Sequence, residues 1–391
     1  MPPGASWSSC STLTATRTIT ILSVQPVAER GGSDQALLRL VRSLPRAEFD
    51  FHIAVPGPSP LAAEFAAAGA TLHVVPMRRL STSHGVGDWA AYGAGWPTAV
   101  ARLSALARRL HVDVVHSNSL HSWYGWAVAR LIRRPHVVHA REIVVQSRAA
   151  LRVDRALCRH FATRVIAVSY AVAAQLDPAN VVVLDEHLDP TEFSPARAGA
   201  FRARVGIPDD APLIGAVARL DPLKGLDVLL DAHAITRVTR PDLQLVVVGT
   251  PVLGQDAYAA DLRARVTATA GARLLEARDD VPDVMADLDV LAFPSVEPES
   301  YGLVVVEALA SGTRVVVSDH GGPPEIVARA APGTAAVVPP GSSRALGDAL
   351  LDLLPARTST GLRRARARAF TPPPPRFAGL FRSVTSGSSK N

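Results

Sequence analysis

Short runs rich in Val, Ile and Leu alternate with longer amphipathic segments along almost the whole chain, and this rhythm limits its possible folds more than any other feature. In the first half "TITILSV", "FHIAVP", "TLHVV", "VDVVHS", "HVVHA", "RVIAVS" and "VVVL" have the length and composition of strands. Segments such as "SDQALLRLVRSL" and "WPTAVARLSALARRL" between them have helical spacing. The second half continues with "LIGAVA", "LQLVVVG", "DVLAFPS" and "RVVVS", separated by "LDVLLDAHAITRV" and "GLVVVEALAS". Strands that are apolar on both faces must be covered on both faces, so the pattern predicts parallel sheets flanked by helices.

The rhythm breaks at "DPTEFSPARAGAFRARVGIPDDAP", where Pro190, Pro195, Pro208 and Pro212 punctuate a polar stretch. A chain of 391 residues is long enough for two domains, each with its own core. The expected division is a disordered extension over 1–16, a first domain over 17–193, a second over 194–370, and a tail over 371–391 that opens with a proline break and ends disordered. The fold class is thus α/β, with two doubly wound parallel-sheet domains facing across a cleft. Ligands in such sheets bind beyond the carboxyl ends of the strands.

Cys10 and Cys158 are the only cysteines, which supports neither a disulfide framework nor a zinc site. No run reaches the roughly 18 apolar residues of a membrane span. "MPPGASWSSCSTLTATR" lacks the basic start and apolar stretch of a secretory signal, so a cytoplasmic protein is expected. The basic excess is uneven: residues 1–195 carry 19 Arg against 14 acids, and the remainder 22 Lys and Arg against 21 acids. The first half therefore suits an anionic partner, either a phosphorylated substrate or the inner face of an anionic membrane, or else presents a solvated basic face. No nucleic-acid partner is expected.

"EPESYGLVVVEALASG" sets the chemical problem, because Glu307 sits inside a helix-length apolar run. An unpaired buried carboxylate costs several kcal/mol, so something must compensate it. Gly302 stands where a helix opens beyond the carboxyl end of a parallel strand. Free backbone N–H groups and the helix dipole make such a point a phosphate site. Glu299 precedes it by three residues, and Glu307 follows it by five, about 7.5 Å along the axis. A diphosphate seated at Gly302, Leu303 and Val304 would leave one carboxylate for hydroxyls at each end of its ligand. The structural alternative pairs Glu307 with Arg314 or a backbone group.

"GAVARLDPLKG" supplies the cations, with Arg219 at the end of a strand and Lys224 at the start of the next helix. Lysine occurs only at 224 and 390, so Lys224 stands out in a chain that otherwise uses Arg. Two cations would offset a bound diphosphate without a metal.

"RLDPLKG", "EPESYGLVVVEALASG" and "DHGGPPEIV" together resemble the donor-site signature of family 4 retaining glycosyltransferases, which have the GT-B fold of two Rossmann-like domains. The resemblance extends from about Arg17 over nearly the whole chain and takes in "AERGGSDQALLRLVRSL", "DVVHSNSLHS", "RVIAVSYAV" and "DDVPDVMADLDVLAFPS". It implies transfer of a sugar from a nucleotide sugar to an acceptor with retention of configuration, and no cofactor or metal. Arg219, Lys224 and the N–H groups of Leu303 and Val304 would hold the diphosphate. Glu299 would contact the transferred sugar, Glu307 the ribose, and Gly31 and Gly32 would form the first-domain loop facing the phosphates. The segment after Pro375 would be a helix returning to the first domain. The leaving phosphate could take the acceptor's proton, so neither glutamate need act as a base.

The chain also departs from the family pattern. Arg141 stands where the family has a histidine facing the sugar, with His139 as the alternative carrier of that role. Guanidinium only donates, so Arg141 would favour an anionic group, or else pair with Glu142 or another acid. Glu186 and His187 replace an Asn-Gly turn, and Glu276 and Ala277 stand where a glycine lies beside the nucleotide base, which leaves Arg278 as the candidate base contact. A nucleotide-sugar epimerase and a non-catalytic nucleotide-sugar-binding protein are the rival readings. An oxidoreductase is disfavoured because no strand is followed by G-x-G-x-x-G.

Overall fold

The computed structural model describes residues 17–79, 86–145, 147–176, 178–252, 254–374 and 376–387. The extension expected over 1–16, with Cys10, and the last four residues lie outside the described residues.

The first sheet is built from β1 (Ile19–Val24), β2 (Phe49–Val55), β3 (Ala70–Val74), β4 (Val114–Ser117), β5 (His136–Ala140), β6 (Arg164–Ala167) and β7 (Val181–Val183). All neighbours are parallel, in the order β3-β2-β1-β4-β5-β6-β7. The second sheet contains β8 (Leu213–Val217), β9 (Gln244–Val248), β10 (Ala272–Leu275), β11 (Val290–Phe293), β12 (Arg314–Ser318) and β13 (Ala335–Val338), in the order β10-β9-β8-β11-β12-β13. These are two doubly wound parallel sheets, as the alternation predicts. β10 and β13 are additional to the strands read from the sequence and form the two edges of the second sheet.

Both sheets reverse strand order once, between β1 and β4 and between β8 and β11. The crevice beyond the carboxyl ends at such a reversal is where this architecture holds ligands. The loops leaving β1, β4, β8 and β11 carry Gly31, Asn118, Lys224 and Glu299, so the topology alone aims the sequence candidates at these two points.

The domains share apolar surface as well as a cleft. One buried cluster runs from Val138 and Val168 through Leu188 and Phe193 to Tyr301, Val305 and Leu309. The helix Phe377–Gly387 returns to the first domain, where Phe377, Phe381 and Val384 pack with Ile21, Phe49 and Phe51. Fully burying a side chain such as Phe381 is worth roughly 1.5–3 kcal/mol, so this helix is part of the first core and not a loose tail. Among the described residues no helix is long and apolar enough to cross a membrane.

Candidate functional site

β11 runs into the loop Pro294–Tyr301 and then into the helix Leu303–Ala310, with Gly302 between them at φ 101°. That left-handed conformation lets the chain turn sharply and favours glycine. No side chain caps the helix, and Leu303 and Val304 are half-buried at its start. Val305 N already donates to Gly302 O at 3.0 Å, so the N–H groups left for a ligand at this helix start are those of Leu303 and Val304. Gly32 lies directly opposite, since a Cβ added to it would come 4.0 Å from Leu303 Cδ1. Gly31 flanks the first helix, Gly32–Ser43, as its N-cap.

Lys224 ends the tight turn after Asp221, whose carboxylate accepts from Leu223 N at 3.0 Å. Gly225 follows at φ 63°, and a Cβ there would lie 2.1 Å from Pro294 O, so the β8 and β11 loops can touch only through a glycine. This contact brings Lys224 Nζ onto Glu299 Oε1, which also accepts from Ser295 Oγ at 3.1 Å. Arg219 stays mostly in solvent, its side chain 60% exposed and 3.8 Å from Asp221. The segment "DHGGPPEIV" fixes the other side of the loop, because Gly322 N donates to Glu299 O at 2.8 Å and a Cβ on Gly321 would strike that same carbonyl.

Glu307 is buried and compensated from the other domain. Arg39 Nη2 donates to its Oε1 at 2.5 Å, and the two side chains are only 9% and 8% exposed. Arg314, the partner considered from sequence, is not the one found. Arg39 also lies over the Phe193 ring, 5.6 Å from its centroid. A signal for it was present: "ALLRLV" encloses a charge in an apolar run just as "VVVEALA" does, and the two outliers are each other's partner.

Arg141 takes the second of the two courses open to it, pairing with an acid. Its side chain is almost wholly buried, and its guanidinium pairs with Glu186 while Nε donates to Asn118 Oδ1 at 2.9 Å and Nη2 lies 3.2 Å from His139 Nδ1. The charge expected to meet an anionic ligand is thus matched inside the fold, because two departures from the family pattern, Arg141 and Glu186, meet each other. Glu142 instead accepts from backbone N–H groups, that of Arg141 at 3.1 Å and that of Leu120 at 3.0 Å. The network continues through Asn118 Nδ2 to Gln25 Oε1 at 3.0 Å, and from Gln25 Nε2 to Asp34 Oδ1 at 3.2 Å. Burial pushes Asp34 up to about 6, opposed by its bond from Gln25. Burial holds His139 well below the usual histidine value, with the charge of Arg141 acting in the same direction.

Arg278 is engaged by groups of its own domain, while the adjacent Asp279 reaches Arg30 of the first domain at 3.2 Å. Arg278 pairs with Asp280 at 2.5 Å and lies over Phe201, beside Arg204 and Asp283. Several seam contacts were not read from sequence. Glu325 accepts from Tyr170 N and Ala171 N at 2.8 and 2.7 Å, Ser169 Oγ donates to Ser300 O at 2.7 Å, and Arg329 binds Asp185 through both terminal nitrogens. A cavity of about 520 Å³ lies along this seam, lined in part by Tyr170, Asp185, Tyr301, Glu325 and Arg329, and none of Arg219, Lys224, Glu299 or Glu307 lines it.

Residues 31–185 match the model of a glycosyl transferase 4-like domain, and residues 199–368 that of glycosyl transferases group 1. A D-inositol 3-phosphate glycosyltransferase of Kineococcus radiotolerans is 32% identical over 331 residues, 74% of each chain. Another from Stackebrandtia nassauensis is 30% identical over 287 residues, 65% of this chain, and the match spans 63% of that relative's length. Among solved structures, Anabaena Alr3699/HepE in complex with UDP and glucose superposes with a TM-score of 0.74 at 22% identity, covering 95% of this chain and 100% of that one. Sucrose-phosphate synthase from Thermosynechococcus elongatus does so with a TM-score of 0.70 at 19% identity, covering 94% of each.

Proposed function

The chain belongs to the group 1 glycosyltransferases of the family 4 type, with the GT-B fold, and from that premise we propose that it moves a sugar from a nucleoside-diphosphate sugar to an acceptor with retention of configuration. One observation carries the reading: an uncapped helix start, a lysine–glutamate pair and a buried glutamate converge where both sheets reverse their strand order. UDP is the first nucleotide to try, since it is bound in the HepE structure. D-inositol 3-phosphate, from the relatives' name, is the first acceptor.

Lys224 and Glu299 neutralise each other. An arriving diphosphate takes the ammonium and the first-turn N–H groups, leaving the Glu299 carboxylate to accept from sugar hydroxyls. As the glycosidic bond breaks, negative charge grows on the departing phosphate. Lys224, Arg219 and the helix start stabilise it where it develops. That oxygen accepts the acceptor's proton, and Glu299 orients the sugar without serving as a base. The two cations and the helix N-terminus offset the diphosphate without a metal.

The test combines a thermal-shift panel of nucleotide sugars with calorimetry and turnover assays in EDTA. Lys224→Ala is expected to weaken nucleoside-diphosphate binding ten-fold or more, about 1.4 kcal/mol. Glu299→Ala is expected to spare that affinity and lower turnover at least ten-fold. Undiminished nucleotide affinity in Lys224→Ala would sink the donor-site assignment, and activity lost in EDTA but restored by Mg²⁺ would sink metal independence.

A further inference from the structure

Glu307 lies in the apolar helix Leu303–Ala310 of the second domain, yet its partner comes from the first domain, 268 residues earlier in the chain. Without that partner the carboxylate would be a lone buried charge, which costs several kcal/mol. Arg39 removes the difficulty by donating through Nη2 to Oε1. Its other terminal nitrogen, Nη1, is shielded from solvent and has no hydrogen-bond partner. A guanidinium is normally kept fully bonded when buried, so an idle donor beside a cross-domain pair points to a ligand atom.

We propose that Arg39 is a positioning residue for nucleoside recognition: it fixes one carboxylate oxygen of Glu307, so that the other accepts from the paired hydroxyls of a ribose, while Nη1 donates to a ribose oxygen. This rests on the reading of Glu307 as the ribose contact. Arg39 is carried by the same helix that opens with Gly31 and Gly32. The ribose contact is therefore complete only when the first domain stands against the second, which ties recognition of the nucleoside to the juxtaposition of the domains. A plain diphosphate gains nothing from it.

Calorimetry with UDP and GDP, each against its 2′,3′-dideoxy counterpart, tests this on the wild-type chain, Arg39→Ala, Arg39→Gln and Arg39→Lys. For whichever nucleotide binds, the wild type is expected to prefer the ribose form ten-fold or more. Arg39→Ala and Arg39→Gln are expected to shrink that preference below about three-fold mainly by weakening the ribose form, and Arg39→Lys to keep most of it. General damage to the domain would weaken both ligands alike, and Arg39→Gln keeps most of the buried volume should the alanine variant fold poorly. An undiminished preference in Arg39→Ala and Arg39→Gln overturns the inference. So does tighter binding of the ribose form, which would make Arg39 a competitor for Glu307. A wild type that shows no preference at all would instead remove the ribose reading of Glu307, and the role of Arg39 with it.

Discussion

In the first domain the buried polar groups gather toward the carboxyl ends of the strands, where Gln25, His116, Asn118, His139 and Arg141 are bonded to one another or to Ser23 and Glu186. In the second domain they gather at the amino ends. Asp289, just before β11, accepts from Arg202 at 3.0 Å, from Leu213 N at 3.0 Å, from Thr358 and from Arg366, and neighbouring Asp287 lies 3.3 Å from Arg363. The carboxyl ends of the second sheet carry the partly exposed Lys224 and Glu299, the exposed Arg219 and an uncapped helix start, beside the buried Asp221 and Ser295. A buried charge held by several partners within the fold is less available to a ligand than a pair that borders solvent. Two sheets of the same topology therefore divide the work, the first forming a pre-bonded wall and the second leaving its cations and N–H groups to bind.

The sharpest way to break this comparison is acid. Burial holds His116 at about 3, His136 at about 4 and His139 well below the ordinary histidine value, all in the first domain, while the second has His233 at about 4. Between about pH 6.5 and 4 an unfolded histidine takes up a proton that the folded one refuses. Stability then falls as pH falls, by about 1.4 kcal/mol per pH unit for each such ring. The first domain is expected to lose on the order of several kcal/mol by pH 4.5 and to open first. Hydrogen exchange followed from pH 7 to pH 4.5 checks this, and earlier loss of protection at β8 and β11 than at β4 and β5 contradicts it.

The next largest effect belongs to the amino end of the second sheet. Asp289→Ala strands Arg202 and Arg366, and removing one partner of such a buried set costs about 3–5 kcal/mol. Urea unfolding should show that loss while nucleotide affinity of the folded fraction is kept. Arg219→Ala is the counterpart at the open end and the smallest of the three. It should leave the melting temperature unchanged and weaken nucleoside-diphosphate binding about ten-fold, or about 1.4 kcal/mol. An exchange of the two phenotypes would reverse the roles assigned to the two ends.

Most of the architecture was legible because buried parallel strands write themselves as continuous Val, Ile and Leu runs. β10 and β13 escaped because they are only partly buried edges that lack a run of β-branched residues, "ARLL" having none and "AAVV" opening on alanines. The loop positions at the strand ends were legible for a similar reason, since Gly225 and Gly302 occupy turns that few other residues tolerate. Side-chain pairing was not. That Glu307 needed a partner could be read from its apolar neighbours, but a choice between Arg314, nearby in the sequence, and Arg39 in another domain depends on which helix faces which. The identity of the acid that pairs with Arg141 was hidden for the same reason: Glu186 lies beyond β6 and β7, and only the sheet order brings them together.

The return helix has a consequence for how the chain comes to be folded. Phe377 and Phe381 stack against His139, His116 and Phe49, closing a face of the first sheet with residues that follow the entire second domain. During synthesis the first domain emerges early but lacks its own cover until the second has been made. Between those two moments Phe49 and His116 lack the Phe381 ring that they meet in the finished fold. A ribosome that stalls in the second domain therefore releases a first domain that is complete in its strands and unfinished in its core.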